Sequence, residues 1–465
     1  MIASVHVAVR KVLASVAASA NDPAAKAPET ASEEPMATTG NTAAPAGNSV
    51  PLKDLYEVGE IPPLGHVPQN MYAWTIRRER HGPPMQAMRV EVVPTWEIDS
   101  HDVLVLVMAA GVNYNGVWAA LGTPISVFDV HKVPYHIAGS DASGIVYAVG
   151  SKVKRWKVGD EVVIHCNQDD HDDEECNGGD PMLSPSQRIW GYETPDGSFA
   201  QFARVQSQQL MPRPKHLTWE ESACYTLTLA TAYRMLFGHR PHVLEPGMNV
   251  LVWGASGGLG SFAVQLCATA GAHAIGVISD ESKRDYVMSL GARGVINRKD
   301  FNCWGQLPKV NSAGFNDFMK EARRFGKAIW DITGKGIDPD IVFEHPGEAT
   351  FPVSCMVAKR GGMVVFCAGT SGFNLTFDAR FVWMRQKRIQ GSHFAHLKQA
   401  SAANQLVIDR RIDPGLSEVF SWDDIPLAHT KMWKNEHLPG NMAVLVSARR
   451  PGLRTYEDAI EAGSA

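Results

Sequence analysis

The sequence predicts an α/β protein in two parts, a β-rich domain followed by a doubly wound parallel sheet. Three observations carry that reading. Residues 248–253 form a short apolar run that ends in a glycine-rich turn, GASGGLG at 254–260. A helically spaced stretch follows, with Phe262, Val264, Leu266 and Cys267 placed for one buried face, and then a second apolar run at 274–278. Further on, apolar runs at 294–296, 341–344, 363–367 and 388–393 alternate with helical stretches. That alternation is what a parallel sheet covered on both faces requires.

The elements before this sheet follow in order. Residues 1–20 are rich in Ala and Val with Arg10 and Lys11, but lack an apolar stretch ending in a cleavage site. Residues 21–50 are rich in Ala, Pro, Thr, Ser and Glu, so 1–50 reads as a disordered extension or as a start assigned upstream of Met36. From residue 51, glycine and proline punctuate short strands expected at 88–93, 103–110, 145–149, 158–165, 199–205 and 209–212. A polar insertion, 166–187, interrupts them. At 218 the character changes to one long helix, 218–237, with Ala223, Leu227, Ala230 and Met235 on its apolar face. The closing strand is expected at 442–446.

Composition narrows the class. Of the 465 residues 45% are hydrophobic and 20% charged, the balance of a soluble globular chain too long for one ordinary core. A net charge of −5 leaves no basic excess for nucleic acid, and no apolar run approaches the roughly 18–20 residues that span a membrane. The seven scattered cysteines read as reduced thiols of a cytoplasmic protein.

The glycine turn carries the chemistry of a dinucleotide site. Gly254, Gly257, Gly258 and Gly260, with Ser256 and Leu259 between them, let a pyrophosphate approach the backbone where a Cβ would block it. The following helix start then offers N–H groups to the phosphate. The second strand ends in Ser279-Asp280-Glu281-Ser282-Lys283-Arg284. A hydroxyl and two cations suit a 2′-phosphate, so NADPH is expected, with Ser279, Lys283 and Arg284 around it. NADH is the alternative, because carboxylates are present as well.

This order of elements resembles the medium-chain dehydrogenase/reductase superfamily over roughly residues 85–447. The resemblance implies a GroES-like catalytic domain at 51–217 and 391–450, a Rossmann cofactor domain at 218–390 and a tail at 451–465. Zinc members carry a cysteine where this chain has Asn113, and Gly-His-Glu where it has Gly139-Ser140-Asp141. They also carry four clustered cysteines where it has only Cys166 and Cys176. No metal is therefore expected, the alternative being a zinc site of His165, Cys166, His171 and Cys176.

Four segments resemble the crotonyl-CoA carboxylase/reductase family more closely: VNYNGVW at 112–118, QRIWGYET at 187–194, IVFEHPG at 341–347 and RFVWMRQKRIQGSHF at 380–394. The resemblance implies reduction of an α,β-unsaturated acyl-CoA by NADPH and trapping of the enolate by CO2, without biotin, in a homo-oligomer that is a tetramer. It offers Asn115, Glu193 and His393 for the CO2 pocket, with Tyr192 as a lid where the family often has Phe. Asn113 competes with Asn115 for the catalytic position. Glu344 and His345, at a strand end, are assigned to the nicotinamide side. Arg380, Lys387 and Arg388 are the basic set for the CoA phosphates. A plain enoyl-CoA or quinone reductase and a non-catalytic NADPH-binding protein are the competing readings.

Overall fold

The computed structural model describes residues 52–464, so the expectation for the first fifty residues lies outside them. The cofactor sheet has six strands in the spatial order Gly294–Asn297, His273–Ile278, Asn249–Val252, Ile341–Glu344, Met363–Phe366 and Arg388–Gly391. Every pairing within it is parallel. Numbered along the chain that order is 3-2-1-4-5-6, and it reverses between Asn249–Val252 and Ile341–Glu344, where ligands bind in open sheets of this kind. Helix Gly258–Thr269 follows the glycine turn as expected, but Gly260 through Cys267 are buried on every side. The cause is a second helix, Thr226–Phe237, packed on its outer flank.

The catalytic sheet is built on Asp102–Val112, an apolar strand buried from Val103 onward. Ala142–Val149 and Phe202–Gln206 pair with it antiparallel. So does Asn441–Leu445, and Leu416–Phe420 extends the sheet parallel to that strand. Glu161–Ile164 and Leu210–Pro212 complete the other edge. A separate sheet joins Arg89–Pro94, Asn70–Ile76 and His136–Ile137.

One boundary differs from expectation, and the structure adds detail at two others. The single helix 218–237 is two, Trp219–Ala223 and Thr226–Phe237, broken at Cys224-Tyr225. The first lies on the catalytic sheet, with Trp219 and Ala223 in its core, and the second in the cofactor core. Helix Leu397–Ile408 touches both parts, Ala400 clustering with Val163 and Met211 of the catalytic sheet and Ala403 and Val407 lying in the cofactor core, and the next strand of the catalytic sheet begins at Leu416. The C-terminal segment is no loose tail. Its helix Tyr456–Ser464 follows Leu453, and both Leu453 and Ala459 are buried in the catalytic core.

Candidate active site

The turn after the first cofactor strand lies at the point where the sheet order reverses. Gly257 precedes helix Gly258–Thr269 and no side chain caps that helix, whose start is where a phosphate is held in turns of this kind. His345 closes the turn from the neighbouring strand: its Nε2 donates to the Trp253 carbonyl at 2.9 Å. Burial pushes that imidazole down to about 4, which keeps it neutral. A Cβ at Gly254 would lie 2.7 Å from His345 Nε2, so this glycine is required by the ring as well as by its φ of 55°.

Glu344 does not face a ligand, which corrects its assignment to the nicotinamide side. It is fully buried, and its Oε1 accepts from Gly347 N at 3.0 Å and Thr350 Oγ1 at 2.8 Å. Ser354 bonds its other oxygen and accepts from Trp253 Nε1 at 2.8 Å. The carboxyl braces the loop after its own strand. With neutral donors only, burial raises it from 4.5 to about 7.

Near the end of the second strand, Asp280 caps its own turn through Ser282 N at 3.1 Å and pairs with Lys299 at 3.3 Å. Arg284 is taken up by Glu281 and by the Val295 carbonyl at 2.7 Å. The Lys283 ammonium has no ion-pair partner among the described residues. Of the two expected cations, Lys283 is the one left for a phosphate.

The substrate side is gathered by one strand end. The Ile164 carbonyl lies 2.6 Å from Thr226 Oγ1, which bonds Asp141. Asp141 in turn accepts from Asn113 Nδ2 at 3.0 Å and Leu227 N at 2.8 Å. The next residue, His165, donates from Nε2 to the Ala395 carbonyl at 2.6 Å, two residues past His393. The next again, Cys166, accepts at its carbonyl from Trp190 N at 2.8 Å, three residues before Glu193. Residues 164–166 therefore hold the Asn113–Asn115 segment, the His393 loop and the Tyr192-Glu193 turn together.

Within that frame the two asparagines separate. Asn113 spends its amide nitrogen on Asp141 and serves the scaffold, which corrects its candidacy as a catalytic group. Asn115, at the second position of helix Tyr114–Leu121, has a buried Nδ2 with no hydrogen-bond partner among the described residues. A buried donor left unmatched is costly unless something else accepts from it. Tyr192 is 8% exposed and packs in the catalytic core; burial, with Glu193 beside it, pushes its phenol up to about 12. Glu193 folds back, so that its Oε2 accepts from Ile189 N at 2.9 Å. His393 is half-buried with its ring 4.3 Å from that of Phe394.

The basic set changes most. Lys387 is buried and donates to the Cys355 and Met356 carbonyls at 2.8 and 2.9 Å, stopping the end of helix Phe351–Val357. It is not a phosphate ligand. Arg388 spends its guanidinium on the His239 and Arg240 carbonyls at 3.3 and 2.7 Å and on Gln390. Only Arg380 stays half-exposed, beside Asp378 at 2.7 Å. Sequence reasoning missed Thr194 and Asp196, which tie the Glu193 turn, and gave Asp141 only as a replacement for a zinc ligand. No cluster of three or more His, Cys, Asp or Glu residues suited to a metal occurs among the described residues.

Fold and site define a medium-chain dehydrogenase/reductase, a parallel cofactor sheet with its glycine turn beside a mixed catalytic sheet. Residues 99–215 match the alcohol dehydrogenase GroES-like domain, and 258–409 match the zinc-binding dehydrogenase domain. Crotonyl-CoA carboxylase/reductase of Cereibacter sphaeroides is 79% identical over 413 residues, covering 89% of this chain and 96% of that protein. Crotonyl-CoA reductase of Streptomyces avermitilis is 41% identical over 426 residues, covering 88% and 92%. A solved crotonyl-CoA carboxylase/reductase, 80% identical, superimposes with a TM-score of 0.87 over 88% of this chain and 96% of that one. The carboxylase/reductase AntE in complex with NADP, 47% identical, gives 0.83 over 86% and 100%. The chain belongs to the crotonyl-CoA carboxylase/reductase family.

Proposed function

We propose that this chain converts crotonyl-CoA, CO2 and NADPH to ethylmalonyl-CoA and NADP+, by hydride delivery to Cβ and capture of the enolate at Cα by CO2. The observation that carries the reading is the buried, unmatched Asn115 amide, set in a family whose relatives bear this activity in their names. The uncapped helix at Gly258 and the unpaired Lys283 fit a dinucleotide with a 2′-phosphate, and NADPH, when bound there, supplies the hydride.

Hydride arriving at Cβ leaves negative charge on Cα and the thioester oxygen. A proton would end the reaction as simple reduction, so the pocket must exclude water while holding a weakly basic, uncharged gas. Asn115 and His393 are donors for the CO2 oxygens, and Glu193 orients a water toward them. Tyr192, neutral at any physiological pH, closes the pocket against solvent. Arg380 is the cation for the CoA phosphates. We read the enzyme as metal-free and biotin-free, a homotetramer of the cytoplasm in an ethylmalonyl-CoA pathway. No helix among the described residues is long and apolar enough to cross a membrane.

Product analysis tests this directly. With crotonyl-CoA, NADPH and saturating CO2, the parent enzyme makes ethylmalonyl-CoA, whereas a plain reductase makes butyryl-CoA and a non-catalytic protein neither. At subsaturating CO2, Glu193→Ala and His393→Asn should keep oxidising NADPH while the ratio of carboxylated to reduced product falls roughly tenfold, the effect of one lost hydrogen bond of ~1–1.5 kcal/mol. Equal loss of both activities would assign these residues to hydride transfer or folding.

A further inference from the structure

The turn that carries Tyr192 and Glu193 is tied from beneath by a chain of side chains that none of the roles above uses. Glu193 closes the turn on one side, its N–H on the Ile189 carbonyl at 2.8 Å and its carboxylate on Ile189 N. On the other side Gly191 N donates to Thr194 Oγ1 at 3.2 Å, and the same hydroxyl donates to Asp196 Oδ1 at 2.6 Å. Asp196 is 3% exposed; its second oxygen accepts from Arg204 Nε at 3.0 Å, and its carbonyl accepts from Trp190 Nε1 at 2.9 Å. Arg204 lies over the Trp96 ring at 5.3 Å, which fixes the far end of the chain.

Trp190 and Tyr192 pack into the catalytic core, but at Gly191, between them, no side chain can hold the turn. Gly191 has a φ of 71°, and a Cβ there would collide with the Gly139 carbonyl. Backbone rests on backbone, so direction comes from hydrogen bonds. Thr194 is the link in this chain that bonds the turn's backbone at Gly191: its single hydroxyl is acceptor toward Gly191 N and donor toward Asp196, while the Asp196 carbonyl holds the Trp190 side chain.

We propose that Thr194, held by Asp196 and Arg204, is the positioning residue that aims Glu193 into the CO2 pocket and so sets the enzyme's choice between carboxylation and reduction. This rests on the reading of Glu193 as part of that pocket. Losing the hydroxyl lets the Gly191–Glu193 segment rotate, and the water that Glu193 holds no longer meets CO2. Hydride delivery does not pass through this turn.

Thr194→Val keeps the shape and removes the hydroxyl, and Thr194→Ser keeps the hydroxyl. In the full-length enzyme, the ratio of carboxylated to reduced product at subsaturating CO2 should fall about three- to tenfold in Thr194→Val, in line with one or two lost hydrogen bonds. The CO2 concentration for half-maximal carboxylation should rise while KM for NADPH holds. Thr194→Ser should match the parent. Unchanged partition in Thr194→Val, with Glu193→Ala still shifting it, overturns the proposal and spares the pocket reading. Unchanged partition in Glu193→Ala overturns both. If Thr194→Val does not fold, Arg204→Met, which releases Asp196 from a partly exposed side, decides: the carboxylated share must fall, and a parental ratio refutes the chain.

Discussion

Glu344→Gln isolates the cost of a charge buried at the cofactor turn. The carboxyl has only neutral donors and is pushed from 4.5 to about 7 by burial, so its ionised form is disfavoured by about 3 kcal/mol. Between those two values the folded state holds a proton that the unfolded state has released. Stability from this group therefore falls as pH rises from about 4.5 to 7, and is level above that. Glutamine resembles the protonated acid. Its oxygen can accept from Gly347 N and Thr350 Oγ1, and its amide can donate to Ser354. At pH 5 the two proteins should unfold within about 1 kcal/mol of each other. At pH 8.5 the variant should gain up to about 3 kcal/mol relative to the parent. Urea unfolding of both proteins at the two pH values, with m compared, measures this. Asp141, also raised to about 7 by burial, titrates in both proteins and cancels. A difference that does not change with pH, or that favours the parent at pH 8.5, would refute the account of Glu344 as a neutral brace.

Two other outcomes follow from the geometry. Lys283→Ala should weaken NADPH binding by ~1–3 kcal/mol and barely alter NADH, as read by fluorescence titration of each cofactor, because the lost contact is a charge-assisted bond to the 2′-phosphate. Lys387→Met should leave KM for crotonyl-CoA unaltered yet lower stability by ~1–3 kcal/mol in denaturant, since it releases the helix-end carbonyls of Cys355 and Met356.

The glycine turn was legible because a strand, four glycines and an amphipathic stretch are all local signals. The Lys387-Arg388 pair misleads because a basic dipeptide looks the same whether it meets a phosphate or the carbonyls of other segments, for Lys387 a helix end 32 residues back; only tertiary packing separates the cases. The sequence favours Asn115 over its competitor Asn113, and the physical reason to set Asn113 aside, its bond to Asp141 28 residues on, appears only in the fold. The break at Cys224-Tyr225 leaves the apolar period intact, so no breaker residue announced it. Two elements were readable and passed over. NMYAWTI at Asn70–Ile76 is a short apolar and aromatic run of strand length, whose burial alternates in the fold. Helix Ala313–Thr333 spaces Phe315, Phe318, Ala322, Phe325 and Ile329 for one face. Thr194 and Asp196 carried no signal of their own, being ordinary turn residues whose partners are set by the fold.

The glycine turn has a neighbour from the far end of the chain. Gly440 N donates to the Ser256 carbonyl at 2.9 Å, and Asn441 fills the space beside Gly258 that any side chain there would need. Asn441 opens the strand that pairs with Asp102–Val112, at the middle of the catalytic sheet. The cofactor turn is thus bonded directly to the start of a strand of the catalytic sheet, so a dinucleotide held at residues 254–260 couples the two sheets. Heating should then melt the two layers in a single transition whose midpoint climbs with NADPH concentration, as mass action requires of a ligand that binds only the folded form.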